Sequence, residues 1–418
     1  MNITEKIKEL ALLHQKEIVE LREYLHENPE LDLDLFNTSR IIKEKLDSLG
    51  IEYTEMAQTG ICALIRGEKG NVDDEDRKTV LLRGDMDALP IQEEADVPFK
   101  SKVEGKMHAC GHDGHTAGLY GALLIINDLR GELEGNVKFA FQPGEERSGG
   151  AEKMIQEGIL KNPEVNIAFG LHLWGPLKED RITMMTGPMM ASPDEFSITI
   201  TGKGGHASAP ELSIDPVVIA AQVVLGLQSI RSRMVSTFSP LVVTCSVIKA
   251  GEAFNVIPND VVIKGTVRTL DKDLRDKVPL MMEQIIRGIT SAYGANFSLN
   301  YNKYYPTLIN DDEAVGILRE SAIKILGEEN YEELENPVMG GEDFSYFGYN
   351  VPSAFGFLGI AQEGKEIPYH HHPRFHFRSE MAAQSAKILS QVAFDAIEGL
   401  NKKKAFLSSK VQQNLYKN

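Results

Sequence analysis

Residues 107–130 read MHACGHDGHTAGLYGALLIINDLR, a polar opening that runs into an apolar stretch with helical spacing. The apolar runs Val80–Leu82 and Val137–Phe141 flank this segment, and both are short enough to be buried strands. The runs Ile61–Ile65 and Ile167–Leu171 extend the same series, with helical patterns between several of them. Strands that alternate with helices predict a largely parallel sheet whose two faces are both covered.

The periodicity changes in the middle of the chain. Residues 195–201 alternate apolar and polar side chains strictly, as a half-exposed strand does. The order strand, helix, strand, strand, helix, strand that begins here resembles a small α+β domain with an antiparallel, ferredoxin-like sheet. The first pattern resumes after Pro306. We therefore predict an α/β protein with a discontinuous catalytic domain at 1–186 and 306–418, and an inserted domain at 187–305.

Three further helices are predicted from apolar spacing and from end signals. Residues 4–27 place isoleucine and leucine along one stripe, as an amphipathic helix does. The next helix is expected to begin at Thr38 or Ser39, whose hydroxyls can cap a helix N terminus, and to end at Gly50. A last helix is predicted over residues 378–400.

Composition and charge limit the partners of this chain. Its 418 residues are too many for one compact core, and its net charge of −17 argues against nucleic acid or an anionic membrane as a partner. The most apolar helical segment, Val217–Leu227, falls short of the roughly 20 residues that span a bilayer. The sparse cysteines, Cys62, Cys110 and Cys245, give no disulfide framework, so we expect a cytoplasmic protein.

The densest group of reactive side chains lies at residues 107–115. This stretch holds one cysteine and three histidines, although the whole chain has only 3 Cys and 11 His. Such soft and borderline ligands, crowded beside acidic residues, suggest a divalent metal. Cys110 and His112 can converge on one ion if the chain is extended there, and the alternative is a buried cysteine beside surface histidines. His108 and His115 are the less expected ligands.

Two pairs of carboxylates follow predicted strands. Asp85 and Asp87 are two residues apart, so on extended chain they point the same way and can orient ligand histidines. Glu145 and Glu146 are adjacent, so their side chains diverge and one can bind metal while the other acts as a general base. The alternative for either pair is a solvated acidic turn.

The remaining candidates are isolated polar residues. His172 follows an apolar run, where a histidine is more often part of the core, and the sequence alone does not choose among histidines 370–372. His206, between Gly-Gly and Ala-Ser, could donate to a developing oxyanion. Arg268 could bind a carboxylate through its planar fork or form an ordinary surface ion pair, and Asn255 adds a further polar group.

Eight short motifs, in their order along the chain, resemble those of the M20 metallopeptidases, and within them those of the amidohydrolase branch. That branch includes hippurate hydrolases, N-acyl-amino-acid deacylases, N-acetyl-diaminopimelate deacetylases and plant auxin-conjugate hydrolases. The resemblance extends from about residue 15 to residue 400. The motifs are RGDMDALP at 83–90, MHACGHDGH at 107–115, QPGEE at 142–146, GLH at 170–172, GGHAS at 204–208, NVIP at 255–258, GEDFS at 341–345 and HHPRF at 371–375.

The resemblance implies two divalent metal ions in a cleft between the catalytic domain and a lid that also forms a homodimer. The donor set tolerates Zn, Mn, Co or Ni. In other M20 branches a His-x-Asp pair stands at the positions of Asp85 and Asp87, so Asp85 resembles a branch-specific replacement that orients ligands. Carried over motif by motif, the metal ligands are Cys110, His112, Glu146, His172 and His371.

The same resemblance implies roles for the other candidates. Glu145 corresponds to the general base, and His206 to a lid histidine that steadies the tetrahedral intermediate from the partner subunit. Asn255 and Arg268 resemble groups that bind the substrate carboxylate or the oxyanion. The expected activity is hydrolysis of the amide bond of N-acyl-L-amino acids with an acetyl or aroyl group. The alternatives are a dipeptidase or carboxypeptidase, a non-catalytic binding homologue, or a thiol amidase with Cys110 as nucleophile.

Overall fold

The structure, a computed structural model, describes residues 1–72, 74, 76–364 and 368–415, with the backbone alone at 406–415. It divides into two compact units. Unit 1 comprises Met1–Gly187, Ile309–Glu335 and the chain from Tyr346 onward, and unit 2 comprises Pro188–Leu308 and Asn336–Ser345. The predicted boundaries assign 336–345 to the catalytic domain. The segment belongs to unit 2 because Val338 N donates to Met189 O and Ala191 N donates to Val338 O.

Helices and strands alternate along much of the described chain. The helices are α1 Ile3–Glu27, α2 Phe36–Leu49, α3 His112–Asp128, α4 Gly150–Gln156, α5 Pro216–Ser229, α6 Lys272–Ala292, α7 Asp312–Leu326, α8 Ser345–Gly348 and α9 Met381–Leu415. The strands are β1 Glu52–Met56, β2 Gly60–Arg66, β3 Thr79–Asp85, β4 Asn136–Gln142, β5 Ile167–Lys178, β6 Ile182–Met184, β7 Gly187–Met190, β8 Ser192–Thr201, β9 Gly205–His206, β10 Leu241–Ala250, β11 Val256–Ile257, β12 Asp260–Thr269, β13 Asn296–Asn302, β14 Leu308–Asn310, β15 Tyr331–Glu333 and β16 Ser353–Ala361.

Unit 1 is built on a sheet with the strand order β1-β2-β4-β3-β5-β16-β6-β15. Its central strands β4, β3, β5 and β16 run parallel to one another, which confirms the predicted mainly parallel sheet. Every residue of β3 and β4 is buried, because helices cover both faces of a parallel sheet. β1 and β2 extend one edge in the antiparallel sense.

Helix α3 is the buried centre of unit 1, and it begins at a candidate ligand. Its N-cap is Gly111, whose φ of 94° is a left-handed conformation that favours glycine, so the chain can turn sharply into the helix at His112. Every residue from His112 to Ile126 is buried. A Cβ added to Gly121 would lie 2.6 Å from Ile18 Cδ1, so α1 can approach α3 closely only because that position is glycine.

Unit 2 has the predicted antiparallel sheet, with the order β10-β12-β8-β13. The alternating side chains of β8 place Phe196, Ile198 and Ile200 in the core. Helices α5 and α6 contribute to the same core through Val223 and Met282 among others. The sheet therefore buries the face that its alternation predicts and leaves the other face to solvent or to a partner.

Helix ends depart from the sequence prediction at two places. α2 begins at Phe36, ahead of Thr38, and its free amides are bound by a distant carboxylate: Asn37 N and Thr38 N donate to the two oxygens of Glu30, at 3.0 and 2.7 Å. α9 spans Met381–Leu415 and so continues well beyond residue 400. No helix in the described part of the chain combines the length and the apolarity that a bilayer span requires.

Candidate metal centre

The candidate ligands and carboxylates of unit 1 meet at the carboxyl ends of the parallel strands. Asp85 is the last residue of β3, and Glu145 and Glu146 follow the end of β4. His172 is predicted to end a strand, but it lies inside β5, which continues to Lys178. Its neighbour β3 pairs with β5 only as far as Gly170, so His172 stands just beyond that pairing. This edge is where open α/β sheets place their ligands.

The donor atoms of the five predicted metal ligands lie close together. Cys110 Sγ is 3.5 Å from His172 Nε2, and Glu146 Oε1 is 3.3 Å from His371 Nε2 and 3.9 Å from His112 Nε2. Within each of three overlapping groups, the donor atoms lie within 4.8 Å of one another. These groups are Cys110, His112 and His172; Cys110, Glu146 and His371; and His112, Glu145 and Glu146.

Several of these atoms lack the hydrogen bonds that buried polar atoms normally make. Both ring nitrogens of His112 and Oε1 of Glu146 are buried without a hydrogen-bond partner. His172 Nδ1 lies 2.9 Å from the carbonyl oxygen of Leu173, which can only accept, so Nδ1 carries the proton and Nε2 offers a lone pair toward Cys110. Orphaned donors of the types Cys, His and Glu fit divalent metal ions.

The electrostatics of the group also suit cations. The nearby Cys110 sulfur and Glu146 carboxylate raise the pKa of His371 to about 10, so the surroundings of this ring stabilise a positive charge. Burial alone would raise the pKa of Glu146, but the proximity of His371 and the charge of His112 lower it. Burial, together with neighbouring histidines, holds the pKa of His172 well below its usual range, so this ring is neutral as a metal ligand must be.

Asp87 links the candidate ligand His112 to the loop that carries Glu145 and Glu146. Its Oδ1 accepts a hydrogen bond from Glu145 N and its Oδ2 accepts one from Glu146 N, both at 3.0 Å. Oδ1 also lies 3.4 Å from His112 Nδ1. Burial raises the pKa of Asp87, although the nearby His112 ring opposes this shift. One carboxylate therefore sets the position of the Glu145–Glu146 backbone relative to the His112 ring.

Asp85 binds a histidine that the motifs do not single out as a ligand. His115 Nδ1 lies 2.6 Å from Asp85 Oδ1, and His115 Nε2 accepts a hydrogen bond from Leu173 N at 2.8 Å. Arg83 donates to the other oxygen of Asp85 at 2.7 Å. His115 is a less expected participant by sequence, yet it ties Asp85 to the strand that carries His172. Its spacing of three residues from His112 on one helix is the signal that could have identified it.

The structure distinguishes the three consecutive histidines. His370 Nε2 already accepts a hydrogen bond from Gly175 N at 3.1 Å, and His372 Nδ1 accepts one from Arg374 N at 3.1 Å. His371 adopts a φ of 67°, and its ring points to Glu146. Only this histidine of the run joins a metal-binding group among the described residues.

The predicted substrate-binding residues lie in unit 2. His206 on β9 and Asn255 before β11 are neighbours, because Ala207 N donates to Asn255 O at 3.1 Å. Ser208 N donates to His206 Nδ1 at 3.1 Å, so the neutral ring carries its proton on Nε2.

Arg268 lies on β12 in unit 2, whereas His206 lies on β9 and Asn255 precedes β11. It is half-buried and donates to Thr266 Oγ1 and Met339 O. Among the described residues no carboxylate lies within ion-pair distance of it. Burial lowers the pKa of this guanidinium. A half-buried cation without an anionic partner can bind an anionic group of a ligand.

Comparisons with known proteins identify the family of this chain. The model of peptidase family M20/M25/M40 matches residues 81–395. The N-acetylcysteine deacetylase of Bacillus subtilis (strain 168) is 38% identical over 91% of this chain and 97% of its own length. The N-acyl-L-amino acid amidohydrolase of Geobacillus stearothermophilus is 44% identical over 74% of this chain and 82% of its own.

A solved structure shares the fold over nearly the whole chain. The YxeP protein of Bacillus subtilis, described as a dinuclear metal-binding peptidase of the M20 family, superimposes with a TM-score of 0.78. It is 34% identical in sequence, and the match covers 92% of this chain and 99% of that one. The chain therefore belongs to peptidase family M20/M25/M40 and is a metal-dependent hydrolase that acts on amide bonds.

Proposed function

We propose that this enzyme hydrolyses the amide bond of N-acyl-L-amino acids, with two divalent ions held by Cys110, His112, Glu146, His172 and His371. The main support for this proposal is the position of Glu145. Its carboxylate lies among the ligand atoms, and its backbone amide donates a hydrogen bond to Asp87. The two relatives named as acting on N-acyl amino acids support this substrate class.

The residues divide the reaction between them. Bound metal ions supply polarisation of the carbonyl group and activation of water. Glu145 accepts a proton from the attacking water and returns it to the leaving amine. His206 donates from Nε2 to the developing oxyanion, because its Nδ1 already accepts a hydrogen bond from Ser208 N. We assign this histidine to the partner subunit. Arg268 binds the substrate carboxylate, for which the planar fork of arginine is suited, and Asn255, which neighbours His206, contributes to binding of the oxyanion.

The proposal is tested with metal-stripped enzyme on N-acetyl and N-benzoyl amino acids and on dipeptides. We expect no release of amino acid before metal is added, and release from the acyl amino acids after addition of Zn, Mn, Co or Ni. The metal that restores turnover at the lowest concentration identifies the preferred ion. Cleavage of dipeptides alone, or turnover that resists the chelator, would contradict the proposal.

Replacing Cys110 with alanine is expected to lower the bound metal per chain. The sulfur lies 3.5 Å from His172 Nε2 and within 4.8 Å of a ring nitrogen of His371, and alanine has no atom that could bind metal in its place. Metal content is measured by mass spectrometry after dialysis. Cys62→Ala is the matched control, because Cys62 is equally buried but lies on β2, and it should leave metal content unchanged. Normal metal content in Cys110→Ala would remove Cys110 from the ligand set.

We also propose a cytoplasmic homodimer that associates through unit 2. Apolar side chains of α5 and β10 are exposed, with Val218 at 50%, Leu225 at 73% and Ile248 at 56%. Exposed apolar side chains of this kind are available for an interface between subunits. Sedimentation should give twice the chain mass of 46.3 kDa, and the mass of a single chain would contradict the dimer. Cell fractionation tests the compartment.

A further inference from the structure

An aromatic surface borders the candidate metal centre within unit 1. Trp174 follows His172 by two residues on β5, so both side chains leave the same face of the sheet, and their rings are 5.5 Å apart. Tyr369 precedes His371 by two residues, and its ring lies 6.0 Å from that of Trp174. We call Trp174 and Tyr369 the aromatic wall.

The indole of the wall is held rigidly. Phe357 stacks on it at a centroid distance of 4.1 Å and an interplanar angle of 12°, and the ring of His370 lies 4.9 Å away. His370 is itself fixed by the hydrogen bond from Gly175 N. Rigid aromatic side chains lose little conformational entropy when they bind a ligand, so this wall is suited to recognition.

Packing alone does not account for the wall. Tyr369 is 56% exposed and Trp174 is partly exposed, whereas the aromatic residues behind them, Phe357 and Phe375, are completely buried. Neither wall residue supplies a metal ligand, and the reaction described above uses neither. An exposed, preformed aromatic surface beside reacting atoms is typical of a site that binds a planar apolar group.

The chemistry of the wall distinguishes the two halves of an N-acyl amino acid. The amino-acid half carries a carboxylate, which the wall cannot pair because neither Trp174 nor Tyr369 carries a positive charge. The acyl half is uncharged. The wall therefore suits the acyl group, and its aromatic rings favour an aromatic acyl group over acetyl.

We propose that Trp174 and Tyr369 are specificity-determining residues that contact the acyl group and select an aroyl over an acetyl substituent. This inference rests on the proposed function, because it names the acyl class used at the same site. The holoenzyme is expected to show a kcat/KM about 10–100-fold higher for an N-benzoyl amino acid than for the N-acetyl derivative of the same amino acid.

Substitutions in the wall test the assignment. Trp174→Leu and, separately, Tyr369→Ala are expected to lower the ratio of the two kcat/KM values by about tenfold, chiefly through the benzoyl substrate. Tyr369→Phe should retain the ratio. Tyr369 is exposed, so its variant is informative even if Trp174→Leu fails to fold. Phe36→Ala, an exposed aromatic residue at the start of α2, is the matched control and should change nothing.

Trp174 also provides a direct binding signal, because it is the only tryptophan of the chain. Benzoate added to the holoenzyme should change its fluorescence at concentrations where acetate does not. Equal efficiency on both acyl classes, or an equal loss for both in the wall variants, would overturn the role of the wall and leave the proposed function intact. Failure to cleave any acyl amino acid would overturn the proposed function and this inference with it.

Discussion

Glu145→Gln is expected to lower kcat by about 10²–10⁴-fold while both metal ions stay bound, because the amide is similar in size but cannot accept a proton. The backbone contact is preserved in this variant, since Glu145 N and not its side chain donates to Asp87. The loss should therefore appear in the proton-transfer step and not in the assembly of the site. Amino-acid release and metal content are measured on the same preparation.

The neighbouring carboxylate provides the matched comparison for this prediction. Glu146 Oε1 is buried without a hydrogen-bond partner and lies 3.3 Å from His371 Nε2, so Glu146→Gln is expected to reduce metal content together with activity. Two adjacent glutamates would then give two different defects. Wild-type turnover in Glu145→Gln, or equal metal loss in both variants, would contradict the division of roles.

The order of strands in unit 1 was beyond what the sequence could provide. Apolar runs predicted β2, β3, β4 and β5 as strands, because burial on both faces leaves continuous apolar residues. The sheet nevertheless places β4 between β2 and β3, out of chain order. Periodicity describes the surroundings of one segment, whereas strand order depends on pairing between distant segments. Short strands such as β6 and β15 carry too few residues for a period.

The start of α2 shows why capping rules reached the wrong residue. Thr38 and Ser39 are typical N-cap residues, and the rule assumes that the nearest hydroxyl binds the free amides. Glu30 binds them instead, through the amides of Asn37 and Thr38. A carboxylate seven residues upstream becomes the cap only through the path of the intervening loop, which no local pattern records.

The motifs named residues whose donor atoms lie close together in the fold. They could not predict the tautomers of the histidines, or which histidine of the run 370–372 faces the other ligands. The tautomer of His172 follows from the carbonyl of Leu173, and that of His206 follows from the amide of Ser208. His371 is available as a ligand where His370 is not, because His370 Nε2 already accepts a hydrogen bond from Gly175 N. Each of these conditions depends on hydrogen bonds that exist only in the folded chain.

Beneath the metal centre lies a group of buried charges that stabilises the start of α3. Arg22 of α1 is completely buried, and its Nε lies 2.9 Å from Asp113 Oδ2. His26 bridges two carboxylates, with Nδ1 2.8 Å from Asp113 and Nε2 3.1 Å from Glu93. Burial alone would lower the pKa of His26, but Asp113 and Glu93 together raise it. Two cations therefore balance two anions.

Arg22→Met is expected to lower the free energy of unfolding by about 3–5 kcal/mol, because it leaves the buried carboxylates with only one cation. It also removes the guanidinium from between the rings of Phe99 and Phe377, at 4.4 and 4.3 Å. Arg40→Met is the matched control. Arg40 forms an exposed ion pair with Glu44 four residues along α2, so its loss should leave the urea midpoint nearly unchanged.

Urea unfolding of the metal-free protein measures this difference without the stabilisation that bound ions add. The fluorescence of Trp174 follows unit 1 alone, because the chain has no other tryptophan. A lower urea midpoint in Arg22→Met at unchanged slope means that the folded state has lost stability. If both variants unfold at the wild-type midpoint, the guanidinium does not balance Asp113 and Glu93, and the start of α3 is held by apolar packing against α1 and α9.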